Sequence, residues 1–300
     1  SWGFMDDYQN LKTIDLVKNS DHKAEVILSE ITEMPFGFAR PVYKIWVLSM
    51  YSLFEEWPAG MYLLIAALNM TVMLLWGYVF YDYFLVEKKN FPLIVFLYPL
   101  SFFIFMPFWN IFMYLSLQEK FIFWFSAIAF FAFKRSYDRP GNRFIIFTII
   151  AVILVLLSKP TGIYLSAVFI VFGFLDLVLF KQNFRVSLIH IISQSLIFIS
   201  YAWFTFKYQL SGSYTSHYKN NLTVSSYFMR ILESNLYIQL LFILGVFFCV
   251  FFFARKLRKK HAYPSFGIIF PLGLLAYLSI LIPWGGQTYL QCVLSPLIFG

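Results

Sequence analysis

Between Met61 and Ile282 the sequence reads as eight apolar runs divided by short polar breaks, and this succession constrains the fold more than any other feature. The runs are Met61–Phe84, Phe91–Met106, Gln118–Phe133, Phe144–Ser158, Thr161–Phe180, Val186–Phe206, Leu236–Ala254 and Phe266–Ile282. Crossing the hydrocarbon core of a bilayer takes about 20 apolar residues in a helix. Several runs are shorter, so their ends are expected to move by several positions. Hydrophobic residues make up 60% of the chain and charged residues 13%. Soluble domains hold roughly 45–50% apolar and about 25% charged residues. One globular core cannot bury that excess, and lipid is expected to cover it. The expected fold is all-α: a polytopic transmembrane helical bundle over 61–300, preceded by a more polar segment, 1–60.

Lysine and arginine set the orientation. The breaks after the first, third, fifth and seventh runs hold Lys88 and Lys89; Lys134, Arg135, Arg139 and Arg143; Lys181 and Arg185; and Arg255, Lys256, Arg258, Lys259 and Lys260. These are 13 of the 23 basic residues, packed into short loops. Positive loops stay cytoplasmic. Residues 1–60, Gln118-Glu119-Lys120, the break at Lys159, the loop 207–234 and Pro283–Tyr289 then share the extracytoplasmic face. The net charge of +8 is therefore topogenic and does not point to nucleic acid. The expected location is a plasma membrane, with several crossings.

Within 1–60, Tyr8, Leu11, Ile14 and Val17 lie along one side of a short helix. Ala24, Ile27, Leu28 and Ile31 follow the i, i+3, i+4, i+7 spacing of a second, amphipathic one. Pro41 suits the first position of a third helix through Phe54, about 14 residues, too short to span and expected in the interface. Trp46 and Trp57 suit that depth.

Four places could carry chemistry. Asp6 and Asp7 stand together near the membrane surface, where a carboxylate could take a proton from a hydroxyl or help hold a divalent ion. Asp6 is equally suited to cap the helix that follows. Arg40, in Gly37-Phe38-Ala39-Arg40-Pro41, could pair with a lipid phosphate through its guanidinium fork, or simply touch bulk headgroups. Glu119 and Lys120 sit at the mouth of a run, among aromatic and aliphatic neighbours. Lys159, in Ser158-Lys159-Pro160-Thr161, lies between two runs and could equally snorkel to water.

Other features carry less. His190 is expected to hydrogen-bond between helices. The four histidines and two cysteines form no metal or disulfide spacing. The 39 Phe residues are expected to face lipid. No Gly-rich nucleotide loop is present. Asn221-Leu222-Thr223 matches a glycosylation sequon.

Taken together, the acidic pair, the polar first segment and the many runs resemble the GT-C superfamily of membrane glycosyltransferases, in particular bacterial members that decorate surface polymers. Asp6-Asp7 looks like the acidic pair that opens their extracytoplasmic first loop, and residues 8–54 look like that loop with its interfacial helices. Gly37-Phe38-Ala39-Arg40-Pro41 is similar to a Gly-Arg-Phe-x-Pro-like stretch, with its Arg directly before the Pro. Gln118-Glu119-Lys120 and Lys159-Pro160-Thr161 resemble polar breaks on the same face.

That resemblance implies a polyprenyl-phosphate-linked sugar as donor and an extracytoplasmic glycan or lipid as acceptor. It implies Asp6 or Asp7 as general base, and Arg40 and Lys159, with Glu119 and Lys120 nearby, around the donor phosphate. It also implies inversion at the anomeric carbon; a divalent metal ion at Asp6 and Asp7 is compatible with it but not required. A lipid flippase or transporter, and a surface-polysaccharide polymerase, are the alternatives. Ser1 at the start, and an apolar stretch at Leu290–Gly300, lead to the expectation of a fragment lacking sequence at both ends.

Overall fold

The computed structural model describes residues 14–32, 40–54, 57–84, 119–139, 141–159, 162–180 and 183–209. Among them every regular element is helical and no strand occurs. After a helical stretch at 14–19 come α1 (Lys23–Thr32), α2 (Pro41–Phe54), α3 (Pro58–Phe84), α4 (Glu119–Asp138), α5 (Asn142–Ser158), α6 (Ile163–Leu175) and α7 (Phe184–Gln209). Segment α6 widens at its end into a π turn, Asp176–Phe180. The runs Phe91–Met106, Leu236–Ala254 and Phe266–Ile282 lie outside the described residues.

The helix starts follow local chemistry. Pro41 and Pro58 open α2 and α3 at the position where a missing N–H costs nothing. Asn183 caps α7, its Oδ1 accepting from the Val186 N–H at 3.2 Å. Helix α4 continues past the expected Phe133 to Asp138, so Lys134 and Arg135 belong to the helix, Arg135 in its last turn. Helix α7 likewise runs to Gln209, into the stretch read as loop.

Two stretches are long and apolar enough to cross a membrane: Ala59–Val79 in α3 and Phe184–Phe204 in α7. Two shorter apolar helical stretches, Asn142–Ser158 and Leu165–Val178, lie between them in sequence.

Ring contacts fix the relative directions of the helices. Asn69 meets Trp124, Trp76 meets Phe130, and Tyr78 meets Phe131, so α3 and α4 run the same way. Phe130 meets Phe169 edge-on, Phe133 stacks on Phe169 and also meets Phe172, so α6 runs with α4. Tyr137 meets Ser187 while Phe133 meets His190, so α7 runs against both. Three residues join α4 to α5 across an extensive contact, which makes that pair an antiparallel hairpin.

The core is aromatic. Phe121, Phe123, Phe130, Phe133, Phe169 and Phe172 are buried between helices, which corrects the expectation that phenylalanine mainly faces lipid. Flat rings fill the space between helices in offset and edge-on pairs, as Phe133 does on Phe169 at 4.5 Å. Other phenylalanines, such as Phe147, Phe174 and Phe184, do point outward. Gly173 permits the close approach of α6 to α7. A Cβ there would lie 2.6 Å from Ile191 Cγ1 and 3.1 Å from the Ser187 carbonyl.

Helix α7 has an inverted distribution. Phe184, Leu188, Ile192, Leu196, Ile199 and Trp203 form an exposed apolar stripe at helical spacing. Ser187, His190 and Gln194 are buried on the other side. A helix at a water-facing surface would place these two sets the other way round.

Candidate functional site

Basic residues crowd one end of the bundle. At that end Lys134 and Arg135 stand near the finish of α4 and Arg139 just after it, while Arg143 and Arg185 lie in the first turns of α5 and α7. Arg135 donates to the Tyr78 hydroxyl and lies over the rings of Tyr78 and Phe131, pinning the end of α3. Lys134 pairs with Asp138 one turn on. Asp176, in the π turn, accepts hydrogen bonds from Ser187 Oγ and from the Asn183 N–H at 3.4 Å. Ser187 Oγ is in turn 3.0 Å from the Tyr137 hydroxyl, so one carboxylate ties the end of α6 to α4 and α7.

The opposite end gathers residues far apart in sequence. Arg40 immediately precedes α2, and Tyr43 and Trp46 of that helix pack edge-on against Phe121 of α4 at 6.3 and 5.7 Å. Lys120 is the neighbour of Phe121, in the first turn of α4, where Glu119 is the first residue. Lys159 caps the end of α5. Because α5 runs against α4, Lys159 comes to the end where α4 begins. Arg40, Lys120 and Lys159 thus share one end of the bundle, together with the start of α4 at Glu119. Their environments differ: Lys120 is 0% exposed and Lys159 6%, while Arg40 is half-buried. Two ammonium groups are thus held inside the bundle at the same end.

Below Lys159 lies a cavity of about 600 Å³ between α5 and α7. Ile153, Leu156 and Leu157 line it from α5, and Leu196, Tyr201 and Phe204 from α7. These α5 residues precede Lys159 by two to six positions, about 3–9 Å along a helix. The cavity therefore begins within two turns of that lysine.

An aromatic cluster supports the same end. Trp46 meets Trp124 at 5.3 Å, and Trp124 Nε1 donates to Asn69 Oδ1 at 2.7 Å, joining α2, α4 and α3. Further along, Trp76 Nε1 donates to the Phe123 carbonyl at 3.2 Å. Glu30 of α1 pairs with Lys44 of α2 at 2.8 Å, so Lys44 is engaged with a carboxylate of this chain. Sequence reasoning singled out neither Asn69 nor Lys44. An isolated Asn in a long apolar run was the available signal for the first.

Asp6 and Asp7 lie outside the described residues. Among the described residues no three His, Cys, Asp or Glu side chains stand where they could hold a metal ion. His190 makes the interhelical hydrogen bond expected of it, with Ser136 Oγ at 2.8 Å. Comparison with family models, characterised proteins and solved structures finds no match to this chain.

Proposed function

We propose that this chain is a multi-pass membrane glycosyltransferase that takes its sugar from a polyprenyl-phosphate donor at the end of the bundle holding Arg40, Lys120 and Lys159. The observation that supports this reading is the gathering of Arg40, Lys120 and Lys159 at the ends of α2, α4 and α5, opposite the end rich in Lys134, Arg135, Arg139, Arg143 and Arg185. The positive-inside rule puts the second end in the cytoplasm and the first outside. The common direction of α3 and α4, and the alternation of α4, α5, α6 and α7, agree with that topology. The outward apolar stripe and buried polar face of α7 suit a helix surrounded by lipid.

A lipid phosphate is the chemistry that complements such an end. Its charge would sit among the guanidinium and ammonium groups, and its isoprenoid tail would descend toward the apolar cavity under Lys159. An acceptor hydroxyl would attack the anomeric carbon as Asp6 or Asp7 takes its proton. The sugar–phosphate bond breaks in the same displacement, inverting the anomeric centre. The phosphate leaves with the electron pair, and the cations stabilise it.

The buried His190 and Gln194 on α7 favour a second reading, a flippase or transporter, because such residues often mark paths through a membrane. The test uses purified protein in lipid nanodiscs and in vesicles, with a synthetic polyprenyl-phosphate sugar, a panel of acceptors and, separately, a nucleotide sugar. Formation of a glycosidic bond from the lipid-linked sugar supports the transferase. Transfer only from the nucleotide sugar refutes the donor assignment, and movement of the lipid across vesicles without bond formation supports the transporter.

A further inference from the structure

Of the buried side chains with polar atoms that have no hydrogen-bond partner among the described residues, four lie on α4, α6 and α7. They are Ser126 Oγ on α4, Ser166 Oγ on α6, His190 Nδ1 on α7, and both Nε2 and Oε1 of Gln194 on α7. None of the four residues is more than 2% exposed. Buried polar atoms in folded proteins are nearly always satisfied, by protein or by ordered water.

Helix directions bring these atoms to neighbouring levels. Phe130, Phe133, Phe169 and His190 form one packed node linking α4, α6 and α7. Counted from Phe133, which meets both Phe169 and His190, Ser126 lies two turns back on α4; Ser166 lies one turn back from Phe169 on α6, and Gln194 one turn forward from His190 on α7. A step of three or four residues stays on the same helix face. Because α7 runs against the other two, all three steps lead the same way along the bundle. Ser166 and Gln194 therefore occupy neighbouring levels, with Ser126 about a turn beyond them and the His190 ring a turn before.

Hydrogen-bond direction identifies what fits between them. The Ser136 hydroxyl donates its hydrogen to the Phe133 carbonyl at 2.6 Å, so it accepts from His190 Nε2–H at 2.8 Å. In that tautomer Nδ1 is left as an acceptor. The Gln194 amide contributes two hydrogens and one acceptor oxygen, and each serine contributes one hydrogen and lone pairs. A cation would meet the amide hydrogens, and an anion would meet the imidazole lone pair. Water, with two hydrogens and two lone pairs, matches the mixed set.

We propose that Ser126, Ser166, His190 and Gln194 build an internal water site, holding a small cluster of ordered water between α4, α6 and α7. The site continues the polar column that starts at Asp176, Ser187 and Tyr137 and passes through Ser136 and His190. It makes this part of the bundle a hydrated seam between aromatic layers, and it is independent of which substrate the protein acts on.

Hydroxyl radicals generated by a brief synchrotron X-ray pulse oxidise side chains beside bound water and spare dry ones. Applied to the full chain in nanodiscs, the pulse should label Phe130 and Phe169, both fully buried, as read by peptide mass spectrometry. Gln194→Leu should reduce that labelling at least tenfold, and so should the milder double change Ser126→Ala with Ser166→Ala, which leaves the packing volume nearly unchanged. A tenfold fall in either folded variant supports the site. Wild-type labelling of Phe130 and Phe169 no higher than in both variants overturns it.

Discussion

Ser136 Oγ and His190 Nε2 lie 2.8 Å apart, joining the last turn of α4 to the second turn of α7 across an interior that is otherwise mainly aromatic. The His190 ring also packs on Phe133 at 4.6 Å, so the hydrogen bond and the stacking position the same residue. Ser136→Ala removes the acceptor and leaves a buried N–H unpaired, a loss of about 1–3 kcal/mol. A double-mutant cycle with His190→Leu, followed by reversible unfolding in mixed micelles, should return a coupling of about 0.6 kcal/mol and at most about 1.7 kcal/mol, the average and the upper value for interhelical hydrogen bonds in membranes. Strict additivity would mean that the two residues do not interact.

The contact at Gly173 predicts a graded series. Ala must displace Ile191 and crowd the Ser187 carbonyl, whereas Val must separate the helices. Overpacking of this kind costs about 1–3 kcal/mol. Thermal aggregation in detergent should therefore begin earlier in Gly173→Ala and earlier still in Gly173→Val. Equal stability of all three proteins would contradict the close α6–α7 approach.

Topology can be read with single cysteines at exposed positions. Asp21 and Arg139 are both exposed, whereas Ser136 is fully buried and would not report. An impermeant thiol reagent should label Asp21→Cys in intact cells and Arg139→Cys only after permeabilisation. The opposite pattern would invert the bundle and remove the proposed donor site from the external face.

The acidic pair should divide into one essential and one dispensable carboxylate. Asp6→Asn or Asp7→Asn keeps size and polarity while removing the base. One of them should lower transfer from the lipid-linked donor by about 10²–10⁴-fold, the usual contribution of general base catalysis. Insertion and accumulation should be unchanged. Wild-type rates in both variants and in the double variant would leave Asp6 as a helix cap only.

Arg40 should act on donor use, not on assembly of the bundle. Arg40→Gln should raise the KM for the polyprenyl-phosphate sugar, and Arg40→Lys should restore it only in part, because an ammonium lacks the bidentate fork. Lys44→Gln serves as the contrast, since Lys44 pairs with Glu30. A KM unaffected at Arg40 but raised at Lys44 would move the phosphate site along α2.

The sequence alone determined the helical character of the described chain and several helix limits. Pro41, Ser158 and the apolar run ending at Phe84 stand where α2, α5 and α3 begin or end. These depend on local signals: proline geometry, a change of polarity, and the period of the apolar residues. The sequence also marked Arg40, Glu119, Lys120 and Lys159 as unusual by their setting. Tertiary structure decided which of them meet. Antiparallel pairing of α4 with α5 carries Lys159 to the start of α4, and the edge-on contacts of Tyr43 and Trp46 with Phe121 bring Arg40 there. Packing likewise decided which phenylalanines are buried, and it turned Ser187, His190 and Gln194 inward together. In a helix apolar on most sides, hydrophobic periodicity does not distinguish the face toward lipid from the face toward another helix. Ring stacking, the small Gly173 and the hydrogen-bonding needs of a few polar side chains make that choice.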